Sequence, residues 1–216
     1  MKKITAVFGI MALFAAALSA ADTKVLKLQV PPSGLEGTPV PVNLANLDRS
    51  KAPNPTPTVP ADVTNIALNK EVTASDDFPL SGDLKQVTDG DKGASMGSVV
   101  EIMGGVQWVQ IDLAKQSEIF AIAIWHYHSQ ERAYNDVVVQ LSDDPEFKNG
   151  VTTVFNADHD NSSKLGAGKD KAWIETNEGK LIVVNPPVKA RYVRLYSNGN
   201  STNETNAYIE VEVFGR

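Results

Sequence analysis

Two stretches carry side chains whose types and spacing allow chemistry. WHYHSQERAYND (125–136) holds two of the chain's three histidines. On an extended chain His126 and His128 share one face, and the segment runs on into Gln130, Glu131, Arg132 and Tyr134. Sugar recognition needs planar donors and acceptors for paired hydroxyls, plus an aromatic ring for the C–H face of the sugar. His128, Gln130 and Arg132 could supply the polar half and Tyr127 or Tyr134 the ring, with His126 on the same strand face. The residues equally admit a structural reading, with His126 and Tyr134 packed inward and Arg132 paired with Asp136 or Glu131. A transition-metal site at the histidine pair has no third ligand in view. The second stretch is Asp89-Gly90-Asp91, taken with Glu210. Calcium prefers hard oxygen ligands, and a tight Asp-Gly-Asp turn presents carboxylates and carbonyls together. On spacing alone the plainer reading is an ordinary turn at Asp89, with Glu210 and Glu212 on the solvent face of a strand. NADHDNSS (156–163) is also rich in oxygen, but lacks the Gly and the bidentate Glu of an EF-hand and reads as a solvated turn.

Catalysis needs a positioned constellation, and none is legible. There is no Gly-x-Ser-x-Gly elbow, no HExxH and no phosphate loop. The chain carries no cysteine, which removes disulfides, thiol catalysis and thiolate metal sites. Its net charge of -6 opposes nucleic-acid binding and adhesion to anionic lipid. A cation or a neutral polar partner suits it better.

These groups need elements to hold them. Residues 1–20 read as a secretory signal peptide: Lys2 and Lys3, an uncharged apolar run from Ile4 to Leu18, then the small residues Ser19, Ala20 and Ala21. The run is short for a membrane span, so the expectation is cleavage and export, with no membrane insertion afterwards. Residues 21–62 hold eight of the twelve prolines. Proline fixes φ and removes donors, so this part is expected to be a linker, largely disordered or extended, the rival being a segment that packs along the domain. Residues 63–216 form the domain. There the hydrophobic period becomes two: VQWVQIDL (106–113), EIFAIAIWHYH (118–128), DVVVQLS (136–142), VTTVF (151–155), KLIVV (180–184), RYVRLYS (191–197) and AYIEVEVFG (207–215) read as strands between turn signals such as Asn149-Gly150, Pro186-Pro187 and Asn198-Gly199. The pattern predicts an all-β sandwich or barrel.

Six pieces in order then resemble the discoidin family, the F5/8 type C domains, which share a fold with family 32 carbohydrate-binding modules. They are NIALNKEVTAS (65–75), TDGD (88–91), VQWVQIDL, VVVQLSDDPEF (137–147), ARYVRLY (190–196) and YIEVEVFG (208–215). The resemblance implies an eight-stranded jelly-roll β-sandwich of the galactose-binding type, with ligand loops at one end. It implies a structural calcium where the Asp89–Asp91 turn meets Glu210. It also implies that the loop after the 118–128 strand supplies an Arg or another polar group to sugar hydroxyls. One departure stands out: SNGNSTNETN (197–206) has no aromatic residue and no apolar spike, which weakens a simple galactose lectin and a membrane-binding relative alike. The expectation is a secreted, non-catalytic module that binds an extracellular or cell-wall glycan. The alternative is adhesion to a surface protein without sugar affinity.

Overall fold

The computed structural model describes residues 22–37, 41–50 and 52–216; the signal-peptide reading lies outside them. Ten strands are present: β1 (Thr23–Val25), β2 (Thr58–Pro60), β3 (Thr64–Asn65), β4 (Glu71–Ala74), β5 (Val100–Ile102), β6 (Val106–His126), β7 (Val138–Ser142), β8 (Thr152–Asn156), β9 (Lys180–Asn198) and β10 (Asn206–Gly215). The eight from β3 to β10 form the sandwich.

Two strands are longer than the sequence pattern suggests. VQWVQIDL and EIFAIAIWHYH fuse into β6, and KLIVV and RYVRLYS fuse into β9. The physical reason is that each passes from one layer to the other without ending. The first half of β6 pairs with β4 and with the second half of β9; its second half pairs with β10 and with the first half of β9. Register shifts between Asp112 and Ser117, and a left-handed Ala114 (φ 68), let the strand bend between the layers. The Pro186-Pro187 turn signal therefore sits inside β9 rather than between two strands. One layer is β4-β6-β9-β7-β8, and the other is built on β10, β6 and β9 with β3 and β5 at the edge of β10.

Alternation explains the core. Val109, Ile111 and Leu113 point inward, while Trp108, Gln110 and Asp112 take the outer face. Ile119, Ile122, Ile124, Leu195 and Ile209 are fully buried. Each such side chain stabilises the fold by roughly 1.5–3 kcal/mol relative to exposure. On β10 both faces are buried, because the helical turn Leu84–Thr88 and the residues after it lie across the outer one. That turn starts in a capping box: Asp83 accepts from the Lys85 amide, and the Gln86 side chain accepts from the Asp83 amide.

The described parts of the proline-rich stretch, residues 22–37, 41–50 and 52–62, lie along the sandwich as a strap. Its two ends pair with each other as the β1–β2 ladder, and Leu26 and Val59 there enter the main core. Between these ends the strap crosses the loop that follows β6. The Glu36 amide donates to Ser129 O at 2.6 Å, the Glu131 amide donates to Gly37 O at 3.3 Å, and Leu47 packs on Ala133 and Ala172.

Candidate functional site

β6 ends at His126, and the chain then crosses one end of the sandwich as residues 127–137. This loop is wedged among four neighbours. The strap lies on one side. Lys92 O and Ala94 O take His128 Nε2 and the Ser129 hydroxyl, at 3.0 and 2.6 Å. The Glu175 amide donates to Arg132 O at 2.7 Å, and the loop after β9 contributes hydrogen bonds between Ser201 and Ala133.

This packing decides the fate of the sequence-predicted residues. His126 is completely buried. Its Nδ1 lies 2.6 Å from Glu175 Oε1, and its ring stacks on Tyr134 at 4.2 Å. His128 and Tyr134 are each 2% exposed. Burial pushes the Tyr134 hydroxyl far above its ordinary pKa. Arg132 donates to Gln130 Oε1 at 2.5 Å, and its guanidinium lies 4.7 Å over the Tyr127 ring. Of the five, only Gln130 is partly exposed. The loop therefore keeps its polar set together but turns it inward.

That set is incompletely satisfied. His126 Nε2, His128 Nδ1, Trp173 Nε1 and Glu175 Oε2 are buried without a hydrogen-bond partner, while the Tyr134 hydroxyl lies beside the Arg132 guanidinium. A buried unsatisfied group costs about 1–3 kcal/mol, and native interiors leave few of them. Glu175, Trp173 and Tyr208 complete this nest, with Trp173 and Tyr208 at 5.9 and 4.8 Å from the His126 ring. Nothing local in the sequence links them to His126, because Glu175 is 49 positions away.

At the other candidate, Glu210 is fully buried on the outer face of β10, not on a solvent face. Its Oε2 accepts from the Gly90 amide at 3.1 Å, while Oε1 has no partner. Burial pushes its carboxyl up to about 8, and the nearby Glu212 and Asp89 add to the rise. Asp91 is engaged elsewhere: Oδ1 accepts from the Gly93 amide and Oδ2 from the Ser98 hydroxyl, bonds that hold its carboxyl below the usual range. Asp89 Oδ1 accepts from the Asp91 amide at 2.8 Å. The turn and Glu210 do meet, and a buried orphan carboxylate oxygen facing an acidic turn fits a calcium ion. Charge compensation is already partly internal, since Lys92 Nζ lies 2.7 Å from Glu212 Oε1. Asp89, Asp91 and Glu210 are not drawn into one tight carboxylate group. Among the described residues the one acidic trio whose oxygens lie within 4.8 Å of one another is Asp136, Asp158 and Asp160. There the Ser162 and Ser163 amides already donate to Asp158.

A ring that the sequence reading passed over stands at the same end. Phe78 is 84% exposed. Asp76 builds the turn that presents it, accepting from the Phe78 amide at 3.1 Å and the Met103 amide at 3.2 Å. Pro79 restricts Phe78 to an extended backbone. Leu80 and Ser81 pair with Glu101, Glu101 accepts from the Thr205 hydroxyl, and Asn206 donates to Met103 O, so this loop joins the loop after β9. An Asx residue two before an aromatic that precedes proline was the available signal.

A family model described as the F5/8 type C domain matches residues 71–211. No curated protein matches the chain in sequence. Among solved structures, the chain is similar to a selenomethionine-labelled mutant of chitosan-binding module 1 from a chitosanase/glucanase of Paenibacillus sp. IK-5. The identity is 21% and the TM-score 0.50, over 70% of this chain and 98% of that one. A fucolectin from striped bass (Morone saxatilis) serum matches at 22% identity and TM-score 0.53, over 71% of this chain and 49% of the lectin. The family 32 carbohydrate-binding module of C. perfringens NanJ, solved with galactose, matches at 13% identity and TM-score 0.51, over 70% and 97%. At these identities the likeness is one of fold.

Proposed function

This chain belongs to the F5/8 type C (discoidin) domain family, and we propose that it acts as a glycan-binding module that works through the loop end of its sandwich. Domains of this family are non-catalytic binding modules, and several fold neighbours are carbohydrate-binding ones. The observation that carries the reading is Phe78, a bare ring held outward by an Asx turn and a proline at that end. Such a ring suits the C–H face of a pyranose, and covering it with a ligand removes apolar surface from water. Gln130, partly exposed and bonded to Arg132, offers the amide that paired hydroxyls require. The partner is an extracellular or cell-wall glycan, reached after export with the help of residues 1–20; residues 21–62 are the linker segment and 63–216 the binding domain. A calcium ion would be held by Glu210 with the Asp89–Asp91 turn, where it would neutralise buried carboxylate charge and stabilise the fold.

A glycan array probed with the exported chain and with Phe78→Ala tests this. Binding to a restricted set of glycans, lost in Phe78→Ala with the fold intact, is expected. No binding to any glycan sinks the reading. One observation favours the second reading, adhesion to a surface protein: Leu80, Met96 and Met103 are also exposed, at 54%, 67% and 50%. Apolar side chains of this kind on loops fit a protein contact.

A further inference from the structure

We propose that Glu175 is a positioning residue for the loop that follows β6: pinned to the end of that strand, it fixes Arg132 and Tyr134 through its own amide and through His126, and so sets where Gln130 is presented. This rests on the glycan reading above, in which Gln130 meets sugar hydroxyls.

Glu175 belongs to the segment that leads into β9, and two neighbouring residues of β6 pin that segment. The Trp125 indole Nε1 donates to Asn177 O at 3.0 Å, and His126 Nδ1 lies 2.6 Å from Glu175 Oε1. Gly179 lets the segment come this close, since a Cβ there would lie 2.5 Å from the Trp125 ring. The Glu175 carboxylate is therefore fixed relative to the strand end. Two contacts then reach the loop. The Glu175 amide donates to Arg132 O at 2.7 Å. The His126 ring stacks on Tyr134, with centroids 4.2 Å apart and planes 19° from parallel. The residues on either side of Ala133 are thus held, one by its backbone and one by its ring. Arg132 carries the constraint onward. Its guanidinium has the Tyr134 hydroxyl beside it, lies 4.7 Å over the Tyr127 ring and donates to Gln130 Oε1 at 2.5 Å. Gln130 is the partly exposed end of that series.

The pair of His126 and Glu175 is poorly suited to stability alone. Both side chains are fully buried, and apolar groups of similar size in such a place are often as stabilising or more so. Glu175 Oε2 and His126 Nε2 are left without a partner, which costs further. What a buried polar pair supplies is a single geometry, because its bond is directional and losing it leaves polar groups stranded. Trp173 and Tyr208, at 5.9 and 4.8 Å from the His126 ring, surround it with aromatic surface that offers few other partners.

The test takes the full exported chain, Glu175→Gln, Gln130→Ala and the double variant to an array of neutral, amino and uronic-acid glycans, and follows the Gln130 side-chain amide by NMR. Glu175→Gln keeps the size of the side chain and removes its charge. If it fails to fold, His126→Asn takes its place, keeping a donor near Nδ1 and removing the ring stacked on Tyr134. The expected result is a shifted Gln130 amide signal with those of Gln110 and Gln140 unchanged, binding at least tenfold weaker to the same glycans, and no further loss when Glu175→Gln is added to Gln130→Ala. Non-additivity of this kind marks a residue that acts through another; one that only supports the fold multiplies its loss onto that of Gln130→Ala. Multiplied losses, an unmoved Gln130 signal, or unchanged binding in Glu175→Gln or Gln130→Ala overturn the positioning role and leave the glycan reading standing. If the unsubstituted chain binds no glycan on the array, the glycan reading fails and the role of Glu175 falls with it.

Discussion

Arg194 and Arg132 are buried to nearly the same depth, 8% and 6% exposed, on opposite kinds of ground. Arg194 lies on the outer face of the β4-β6-β9-β7-β8 layer. Its Nε donates to Gln110 at 2.8 Å and its Nη2 to Pro145 O at 2.9 Å, and its plane lies between Trp108 and Phe147 at 4.1 and 4.2 Å. Arg132, at the loop end, donates to Gln130, lies over the Tyr127 ring and has the Tyr134 hydroxyl beside it. A guanidinium presents five donors in a rigid fork. Arg194 ties β9 to β6 and to the loop after β7, so it is part of the framework; the groups around Arg132, namely Tyr127, Gln130 and Tyr134, all belong to its own loop. Glu210 is the group left half used, with one oxygen bonded and one idle.

The largest expected effect is at Arg194. Arg194→Ala should lower unfolding free energy by roughly 3 kcal/mol, because it strands Gln110 and Pro145 and removes two cation–π contacts. Arg132→Met should cost less, about 1 kcal/mol, since its contacts stay within one loop, yet should weaken glycan binding at least tenfold by our reading, because Arg132 holds the Gln130 amide in place. Urea unfolding of both variants decides: equal losses would break the comparison. Next comes calcium. At a hundred times its dissociation constant it should stabilise the chain by about 2.7 kcal/mol, a rise of several degrees in melting temperature. Glu210→Gln should abolish the rise, and an unchanged melting temperature on chelation would refute the ion. The smallest effect belongs to a pair that is satisfied but half exposed. Two hydrogen bonds from Arg191 to Asp112, both 2.8 Å, hold the Asp112 carboxyl below its ordinary 3.8, with burial opposing. A folded-state value below the unfolded one means stability that is present above the unfolded value and lost as pH falls through the folded one. Arg191→Met should therefore flatten the acid limb of the melting curve below pH ~4, by less than about 1 kcal/mol given the exposure of the pair.

The sandwich was legible in the sequence because its signal is short-range: alternating β-branched residues and turn formers fix strands, and six motifs in order fix their arrangement. The fusion of strands into β6 and β9 was not, since a bend between layers looks locally like a break; Lys115 and Gln116 are exposed as a turn would be. At the site, the meeting of Glu210 with the Asp89–Asp91 turn came through the resemblance. The inward turn of Tyr134 was one of two readings the sequence left open; that of His128 and Arg132 was hidden, because the groups packed on them, Lys92 and Glu175, are far away in sequence. Composition says that the proline-rich stretch cannot join a sheet interior; it does not say where that stretch will lie. Phe78 was passed over because one aromatic in a polar loop has no periodicity to mark it.

The β1–β2 ladder has a consequence for how the module is carried. It brings Asp22 beside Ala61 through a backbone hydrogen bond, and the neighbouring Asp62 lies 3.4 Å from Arg216. Both ends of the described chain thus sit at one pole. β10 climbs from that pole at Gly215 to Asn206 beside the loops at the other end, ten residues or roughly 30 Å away. Whatever holds the molecule at residue 22 or at residue 216 holds it by its foot, with the far loops facing outward like a hand at the end of a forearm.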